Sequence, residues 1–207
     1  MIMGLKERIK SNAKLKKNVL WLLINPIKCR PQWWIRLFRW TYVHRGKGSV
    51  IYRSVRKDIV PINKFILGKR SVIEDYATVN NQVGDIIIGD DDRIGLHDTV
   101  IGPVKIGNHV IIAQCVTISA LNHTYSDVNE LISRQKVSTK EININDDVWI
   151  GANAVITSGI SIGKHAVVGA GSIVIDDIPD YCVVAGNPAK IIKKYDFDNN
   201  KWVKNEL

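Results

Sequence analysis

Five histidines are the residues of this chain best suited to acid–base chemistry, because the ordinary pKa of imidazole lies near neutral pH. They are His44, His97, His109, His123 and His165. His44 lies in a strongly basic stretch, and three others each follow a regularly spaced aliphatic residue by three places, as solvent-facing turn residues do. His123 instead opens the longest irregular stretch between two regular regions, and such loops usually carry function. We predict that His123 is a general base that takes the proton of a hydroxyl group.

Two polar neighbours could assist His123. Asp127, or a backbone carbonyl, could hold the imidazole tautomer that leaves one ring nitrogen free, and Asn122 could donate a hydrogen bond to a developing oxyanion. Asn and Asp also stabilise turns through their own side chains, so a structural role stays open for both. Cys115, eight residues before His123, falls at an interior-looking position. We therefore expect Cys115 to serve packing, and we expect direct transfer without a covalent nucleophile.

A six-residue repeat surrounds this candidate site. Aliphatic side chains recur at every sixth place in three runs, and we call these places the repeat positions. They are Leu67, Ile73 and Val79; then Ile88, Ile94, Val100, Ile106, Ile112 and Ile118; then Ile144, Ile150, Ile156, Ile162, Val168 and Val174. A period of six fits neither the 3.6-residue period of a helix nor the alternation of a flat strand. It predicts very short strands joined by turns and stacked as a solenoid.

The spacing of the runs predicts the organisation of a mainly β protein. Three hexapeptides make a turn of about eighteen residues, which gives about five turns between Leu67 and Pro179. The gap of 26 residues between Ile118 and Ile144 then leaves an ejected loop at about 121–140. We predict a basic helical, Trp-rich cap at 1–62, a β-helix at 63–180 and a short C-terminal extension at 181–207.

Several motifs resemble those of the hexapeptide-repeat acyltransferases, in particular the branch that O-acetylates bacterial surface polysaccharides. They are Asp147-Val148-Trp149-Ile150-Gly151-Ala152-Asn153-Ala154, Val167-Val168-Gly169-Ala170-Gly171-Ser172 and Ala185-Gly186-Asn187-Pro188-Ala189-Lys190. The resemblance implies a left-handed parallel β-helix, a homotrimer with its site between neighbouring subunits, acetyl-CoA as acyl donor, and a catalytic base at His123. It also implies that backbone groups at Ala152 and Ala170 hold the pantetheine arm.

Three further side chains are candidates for the donor site. Lys190 and Lys193 follow the closing Gly186-Asn187-Pro188 turn and could neutralise the CoA phosphates. Trp149 lies beside the expected groove, where it could pack against the donor or against another subunit. The chain departs from its relatives at two places: His123-Thr124-Tyr125 replaces the His-Pro of the maltose and galactoside branch, and Ile175-Asp176 replaces a frequent Thr-Lys pair. The first departure argues against that branch's acceptor, and the second weakens the expected phosphate contacts.

Charge is distributed unevenly along the chain. Residues 1–57 hold fifteen Lys and Arg and one acid, a net charge of +14, whereas the remainder has a net charge of −5. Four of the six tryptophans, at 21, 33, 34 and 40, lie in the same stretch, and a basic helix is predicted from Ile2 to about Asn18. The apolar run Val19–Ile24 is too short to span a membrane. We expect a cap over the open end of the solenoid, with possible peripheral contact with an anionic membrane, and no nucleic-acid partner because no such motif occurs.

These features together predict a CoA-dependent O-acyltransferase, with acetyl as the expected acyl group, that acts on a sugar hydroxyl of a surface polysaccharide or its precursor. We expect no metal, since the three cysteines form no CxxC pair, and a cytoplasmic location at or near the inner face of the membrane. Three alternatives stay open: N-acylation of an amino-sugar nucleotide, a zinc enzyme of the carbonic-anhydrase type, and a non-catalytic scaffold. The acceptor sugar cannot be derived from the fold.

Overall fold

The chain folds as a three-sided parallel β-helix in the computed structural model, which describes residues 8, 9 and 11–205. Each turn gives one short strand to each of three sheets. The first sheet contains Val43–Arg45, Phe65–Leu67, Ile86–Ile88, Val104–Ile106, Ile142–Ile144 and Ser161–Ile162. The second contains Val50–Ile51, Val72–Ile73, Arg93–Ile94, Ile111–Ile112, Trp149–Ile150 and Val167–Val168. The third contains Arg56–Asp58, Thr78–Asn80, Thr99–Ile101, Thr117–Ser119, Val155–Ile156 and Ile173–Val174. The predicted mainly β solenoid is confirmed.

The repeat positions form the core. All fifteen are buried, and none exposes more than 3% of its surface. Parallel pairing sets Ile106 beside Ile144, 38 residues later, whereas Ile144 pairs with Ile162 after only 18. The difference is the predicted twenty-residue insertion, which leaves the stacking of the turns undisturbed.

The helix has six complete turns, one more than the sequence predicts. The additional turn, Val43–Asp58, lies inside the stretch 1–62 that the sequence assigns to the cap. Its residues at the repeat columns are Arg45, Ile51 and Lys57, which pair with Leu67, Ile73 and Val79. Charged residues are tolerated there because only one side of a terminal turn is covered by another turn. This is why the aliphatic repeat does not reveal it.

Lys57 shows how this open end is closed. Its ammonium group donates to the backbone carbonyls of Tyr52 at 3.1 Å, Arg53 at 3.4 Å and Val55 at 2.8 Å. Burial, followed by repulsion from Arg39 and Arg45, lowers the pKa of this ammonium group. Lys57 thus satisfies carbonyl groups that have no turn below them.

The segment before the first turn comprises helix α1 (Ala13–Leu23), the antiparallel strands Ile24–Asn25 and Arg30–Pro31, helix α2 (Trp33–Leu37) and the 3-10 helix Arg39–Thr41. The side chain of Asn12 caps α1 by accepting the N–H of Leu15 at 2.9 Å. Helix α1 continues through the apolar Val19–Leu23 stretch, whereas the sequence predicts that the helix ends near Asn18. Residues 1–7 and 10 of the predicted basic helix lie outside the described residues. None of the helices described is long and apolar enough to cross a membrane.

The tryptophans of this segment do not share one role. Trp34 packs against the core, together with the buried Leu23 and Ile35. Trp21, Trp33 and Trp40 are instead largely exposed. The expectation that the tryptophans cover the open core is therefore wrong for three of the four.

Beyond the sixth turn, three strands extend the second sheet. They are Cys182–Gly186, which runs parallel, and then Ala189–Asp196 and Lys201–Lys204, which run antiparallel. They form most of the predicted C-terminal extension and place its lysines at the upper edge of the second sheet.

Candidate active site

The twenty-residue insertion forms a β-hairpin. Its strands, Leu121–His123 and Val137–Thr139, pair antiparallel, and its distal part holds the 3-10 helix Ile132–Arg134. The hairpin leaves the β-helix where the chain passes from the third sheet to the first. Within the part of the chain that the structure describes, residues 124–136 make hydrogen bonds only with one another. The hairpin is therefore an arm that projects from the fourth turn.

His123 ends the first strand of this arm, opposite Val137, and it is exposed. No residue in the described ranges forms a hydrogen bond or ion pair with its imidazole. The ring is therefore accessible to a substrate, as a general base must be. Asn122 precedes it in the same strand, and consecutive strand residues point to opposite faces. The structure thus does not bring the Asn122 amide to the face that His123 occupies.

Asp127 is engaged in the structure of the hairpin tip. Its carboxylate accepts the N–H of Asn129 at 2.9 Å, and its backbone carbonyl accepts from the Gln135 amide at 2.8 Å. The Gln135 side-chain oxygen accepts the Asp127 N–H in return, at 3.3 Å. This is the turn-structuring role that the sequence left open, and it does not join Asp127 to His123.

Three of the other histidines lie where the spacing predicts, whereas His44 lies in strand Val43–Arg45 of the first turn and not in a cap. His97, His109 and His165 occupy turn corners with φ of 61°, 59° and 54°. Cys115 occupies the same kind of corner, with φ of 61°, and it is exposed. The expectation that Cys115 faces the interior is wrong, because the third residue after a repeat position is the corner residue and points outward.

The donor-site candidates lie together on a different part of the surface. Ala152 and Ala170 stack on adjacent turns, and the Gly171 N–H donates to the Ala152 carbonyl at 2.8 Å. A Cβ at Gly151 would come within 2.5 Å of the Ala170 nitrogen, so the turns are in close contact there. At Gly171, φ is +70° and a Cβ would meet no atom within 4 Å. The corner therefore has small side chains with open space beside Gly171.

The remaining candidates adjoin this corner. Trp149 is exposed in the second sheet, in one row with Val167, Val183 and Lys193. Lys190 lies with Lys193 on strand Ala189–Asp196, and its ammonium group is 3.7 Å from a carboxylate oxygen of Asp176. Asp176, which stands where relatives have the lysine of the Thr-Lys pair, thus partly neutralises Lys190, one of the two lysines predicted to contact phosphate.

Within one chain the two sets of residues are separate. The corner with Ala152 and Ala170 joins the second sheet to the third, whereas the hairpin leaves the far end of the third-sheet strand Thr117–Ser119. A strand with its flanking residues spans on the order of 15 Å at about 3.3 Å per residue. One chain alone therefore does not place His123 beside the donor corner.

Two buried carboxylates were not anticipated from the sequence. Asp92 and Asp98 each stand four residues after a repeat position, where other turns have a small or β-branched residue. Asp92 accepts the Val110 N–H at 2.7 Å, and no donor among the described residues meets its second carboxylate oxygen at full hydrogen-bond geometry. Asp98 accepts the Gly95 and Val116 N–H groups. Burial raises the pKa of each to about 7. The substitution of an acid at an otherwise small position was the signal that could have identified them.

No three His, Cys, Asp or Glu side chains of the described chain are grouped so that they could hold a metal ion. The zinc alternative would need a set of histidines completed by other subunits.

Comparison with known proteins identifies relatives of most of the chain and of its parts. Residues 141–176 match the family described as bacterial transferase hexapeptide (six repeats). The putative lipopolysaccharide biosynthesis O-acetyl transferase WbbJ of Escherichia coli is 35% identical over 176 residues, which is 82% of this chain and 84% of WbbJ. The galactoside O-acetyltransferase of Escherichia coli is 42% identical over 91 residues, 44% of each chain. The chain thus spans less than half the length of the galactoside enzyme.

Solved structures share the fold. An N-acyltransferase from Bacillus cereus, AntD, superposes with a TM-score of 0.66 at 20% identity, over 79% of this chain and 90% of that one. A hexapeptide-repeat-containing acetyltransferase from Vibrio cholerae superposes with a TM-score of 0.54 at 24% identity, over 93% of both chains. These likenesses confirm the left-handed parallel β-helix that the sequence motifs predict. With a relative of 35% identity along four-fifths of its length, the chain belongs to the hexapeptide-repeat acetyltransferase family.

Proposed function

We propose that this protein is a CoA-dependent O-acyltransferase that moves an acetyl group from acetyl-CoA to a sugar hydroxyl of a surface polysaccharide or its precursor. The observation that carries the proposal is an exposed histidine on an arm inserted into an otherwise regular hexapeptide β-helix. WbbJ, which matches 82% of the chain, is named as a putative lipopolysaccharide biosynthesis O-acetyl transferase, and this name supports the acceptor class.

The reaction needs one proton acceptor. The imidazole of His123 takes the proton of the acceptor hydroxyl while the hydroxyl oxygen attacks the thioester carbonyl. The carbon–sulfur bond then breaks, the acetyl group stays on the sugar oxygen, and the proton passes to the departing CoA sulfur. The contacts of Asp127 explain the tip of the hairpin, and Asn122 faces away from His123, so this reaction is not assigned to either of them.

The donor corner fits CoA in its chemistry. The small residues Ala152, Ala170 and Gly171 leave space for a narrow chain such as pantetheine, and Trp149 offers an apolar surface in the neighbouring sheet. Lys193 and, less effectively, Lys190 supply cations for phosphate groups. Titration calorimetry with CoA tests this assignment, and absence of affinity would favour the scaffold alternative. Loss of activity after exhaustive chelation would favour the zinc alternative.

We propose a homotrimer because one chain does not place His123 beside the donor corner. The hairpin exposes five large hydrophobic side chains, which suit a contact with a second subunit. They are Tyr125, Val128, Leu131, Ile132 and Val137.

Mixing two inactive variants tests whether the site is shared between subunits. A His123→Ala subunit provides an intact corner, and an Ala170→Trp subunit provides an intact hairpin. If the site is shared, co-assembling two inactive variants in equal amounts restores about one site in four. Recovery of no activity from properly mixed trimers would contradict a shared site.

N-acylation is the second candidate. An N-acetyltransferase for tetrahydropyridine dicarboxylate from Clostridium perfringens is 64% identical over 53 residues, 26% of this chain. The experiment that separates the candidates measures CoA release with a panel of glycan precursors bearing hydroxyl or amino groups. Mild alkali removes acetyl esters and spares amides, so alkali-labile product supports O-transfer, whereas stable product from amino sugars overturns it.

We also propose that the enzyme works in the cytoplasm at the inner membrane surface. The net charge of +14 in residues 1–57 favours an anionic leaflet, to which each nearby Lys or Arg contributes about 1 kcal/mol. Because residues 43–57 belong to the β-helix, the test uses the full chain. Flotation should occur with anionic vesicles and weaken as salt increases. Equal behaviour with neutral and anionic vesicles would contradict this location.

A further inference from the structure

A cavity of about 490 Å³ lies at the N-terminal end of the β-helix. Its walls come from strand Arg30–Pro31, from α2 and the 3-10 helix that follows it, and from residues 53–58 of the first turn. We call it the arginine pocket, because five arginines line it: Arg30, Arg36, Arg39, Arg53 and Arg56. Its volume lies within the range of small-molecule sites, about 300–1,000 Å³.

The charge of the arginine pocket is not balanced by the protein. Asp58 is its one acidic lining residue, it is 2% exposed, and Arg56 already pairs with it at 2.6 Å. Across the described chain, no acid forms an ion pair with Arg30, Arg36, Arg39 or Arg53. Lys57 adds a further positive charge that is directed at backbone carbonyls. Several guanidinium groups around one cavity suit phosphate, which arginine binds through two parallel hydrogen bonds.

Exposed apolar side chains lie on the same segment as two arginines of the arginine pocket. The short helices that carry Arg36 and Arg39 into the cavity expose Trp33 by 72% and Trp40 by 80% to solvent. Leu37 and Phe38, in the same segment, are also exposed. Tryptophan beside basic residues is typical of protein surfaces that lie at the level of lipid headgroups. A soluble anion would not require these exposed side chains, whereas an anion anchored in a membrane would bring the lipid surface against them.

The arginine pocket and the catalytic hairpin lie along one sheet. Asp58 in the pocket pairs with Asn80, Asn80 with Ile101, and Ile101 with Ser119, from which the chain passes into the hairpin. Three strand spacings of about 4.8 Å separate the two ends, a distance of about 14 Å. A phosphate held in the pocket would therefore leave an attached saccharide free to extend toward the hairpin.

We propose that the arginine pocket binds the diphosphate of a lipid-linked glycan, with Trp33 and Trp40 against the membrane. This inference rests on the proposed function, and it names the acceptor class as a lipid-linked diphosphate saccharide. The pocket holds the acceptor at its phosphate end, and the hairpin acts on a sugar farther along.

The test measures binding rather than turnover. The full chain is mixed with phosphatidylcholine vesicles that carry a long-chain polyprenyl diphosphate, and with vesicles that carry phosphatidylglycerol at the same surface charge. We expect at least about tenfold tighter binding to the diphosphate vesicles, because two or more charge-assisted hydrogen bonds are specific to that group. Equal affinity for both vesicles would overturn the inference and leave general attraction to anionic lipid.

Two variants of equal charge locate the site. Arg36→Gln with Arg39→Gln should abolish the preference for diphosphate, whereas Lys47→Gln with Lys69→Gln removes two exposed cations at another corner of the first two turns and should preserve it. Equal loss in both double variants would overturn the inference. If the arginine variant does not fold, competition by inorganic pyrophosphate against wild-type binding replaces it, and absence of competition contradicts the site.

Further variants distinguish a lipid ligand from a soluble one, and binding in the arginine pocket from catalysis at the hairpin. Trp33→Ser with Trp40→Ser should weaken vesicle binding and leave affinity for inorganic pyrophosphate intact. Tight binding of pyrophosphate with no preference for diphosphate vesicles would point to a soluble nucleotide and overturn the lipid assignment. His123→Ala should bind diphosphate vesicles like wild type. Wild-type protein that binds these vesicles but transfers no acetyl group would count against the proposed function alone.

Discussion

The first and fifth turns of the β-helix have the same backbone but are stabilised differently. The fifth turn places Ile144, Ile150 and Ile156 in the three core columns, all of them buried. The first turn places Arg45, half-buried Ile51 and Lys57 in the same columns. An interior turn has neighbours on both sides, so apolar burial stabilises it, whereas a terminal turn has carbonyl groups that cations can satisfy.

This difference suggests a division of function along the axis of the β-helix, in which interior and terminal turns have different roles. Regular interior turns can carry an inserted hairpin without loss of stacking, and there the chain exposes His123. The terminal turn needs cations for its own backbone, and further arginines beside it make a cavity with unbalanced positive charge. Chemistry is therefore expected at the interior insertion, and retention of an anionic partner at the terminal turn.

The strongest test of that division removes the base. His123→Ala should lower kcat by at least about 10²-fold while CoA affinity persists, because the imidazole is assigned to the proton of the acceptor hydroxyl and not to CoA binding. His109→Asn is the control, since it changes a corner histidine to a residue that tolerates positive φ. Steady-state kinetics and calorimetry measure the two effects. Near-normal turnover in a folded His123→Ala variant would contradict both the assignment and the division.

The second test compares the two turns within one core column. Ile150→Ala should reduce the free energy of unfolding by about 3 kcal/mol, because it leaves a cavity in a fully buried column. Ile51→Ala, the counterpart in the first turn, should cost less than half as much because Ile51 is already partly exposed. Chemical denaturation gives both values. Equal losses would show that the terminal turn depends on apolar burial as much as the interior does.

The third test uses pH. Burial raises the pKa of Asp92 to about 7, whereas an aspartate in the unfolded chain has a pKa near 4. The contribution of Asp92 to the free energy of unfolding is therefore complete below about pH 4 and is lost as pH rises toward 7. The free energy of unfolding should fall across this range, and Asp92→Asn should reduce the change between pH 5 and pH 7 by on the order of 2 kcal/mol.

Asp91 provides the control for that experiment. Its hydrogen bond to the Arg70 guanidinium lowers its pKa, so it titrates below this window and Asp91→Asn should leave the pH profile unchanged. Denaturation curves at several pH values separate the two carboxylates. A pH profile that Asp92→Asn does not alter would show that Asp92 ionises normally in the folded protein.

The smallest expected effect concerns the donor phosphates. Asp176→Asn should free Lys190 from its ion pair and lower the dissociation constant of CoA by about threefold, the scale of an exposed pair. Asp177→Asn removes the same charge from a side chain that accepts the Ser161 N–H, so it should have a smaller effect. Equal gains from both variants would indicate a general charge effect rather than release of Lys190.

The sequence alone determined the features that repeat locally. The fifteen repeat positions are all in the core, the twenty-residue insertion lies where the spacing placed it, and His97, His109 and His165 are at corners. These predictions succeed because each six-residue unit meets the same environment, so burial and turn geometry are reflected directly in the order of residue types.

The tertiary structure alone decided the features that depend on what covers a residue. The sequence assigns Arg45 and Lys57 to a basic cap, yet they belong to a β-helical turn that is open on one side. The orientation of Asn122 relative to His123 follows from the pairing of the hairpin, and the arginine pocket forms from segments 30–39 and 53–58 that meet only after folding. Local spacing does not encode such contacts, because they arise where the repeat ends or is interrupted and the neighbours come from elsewhere in the chain.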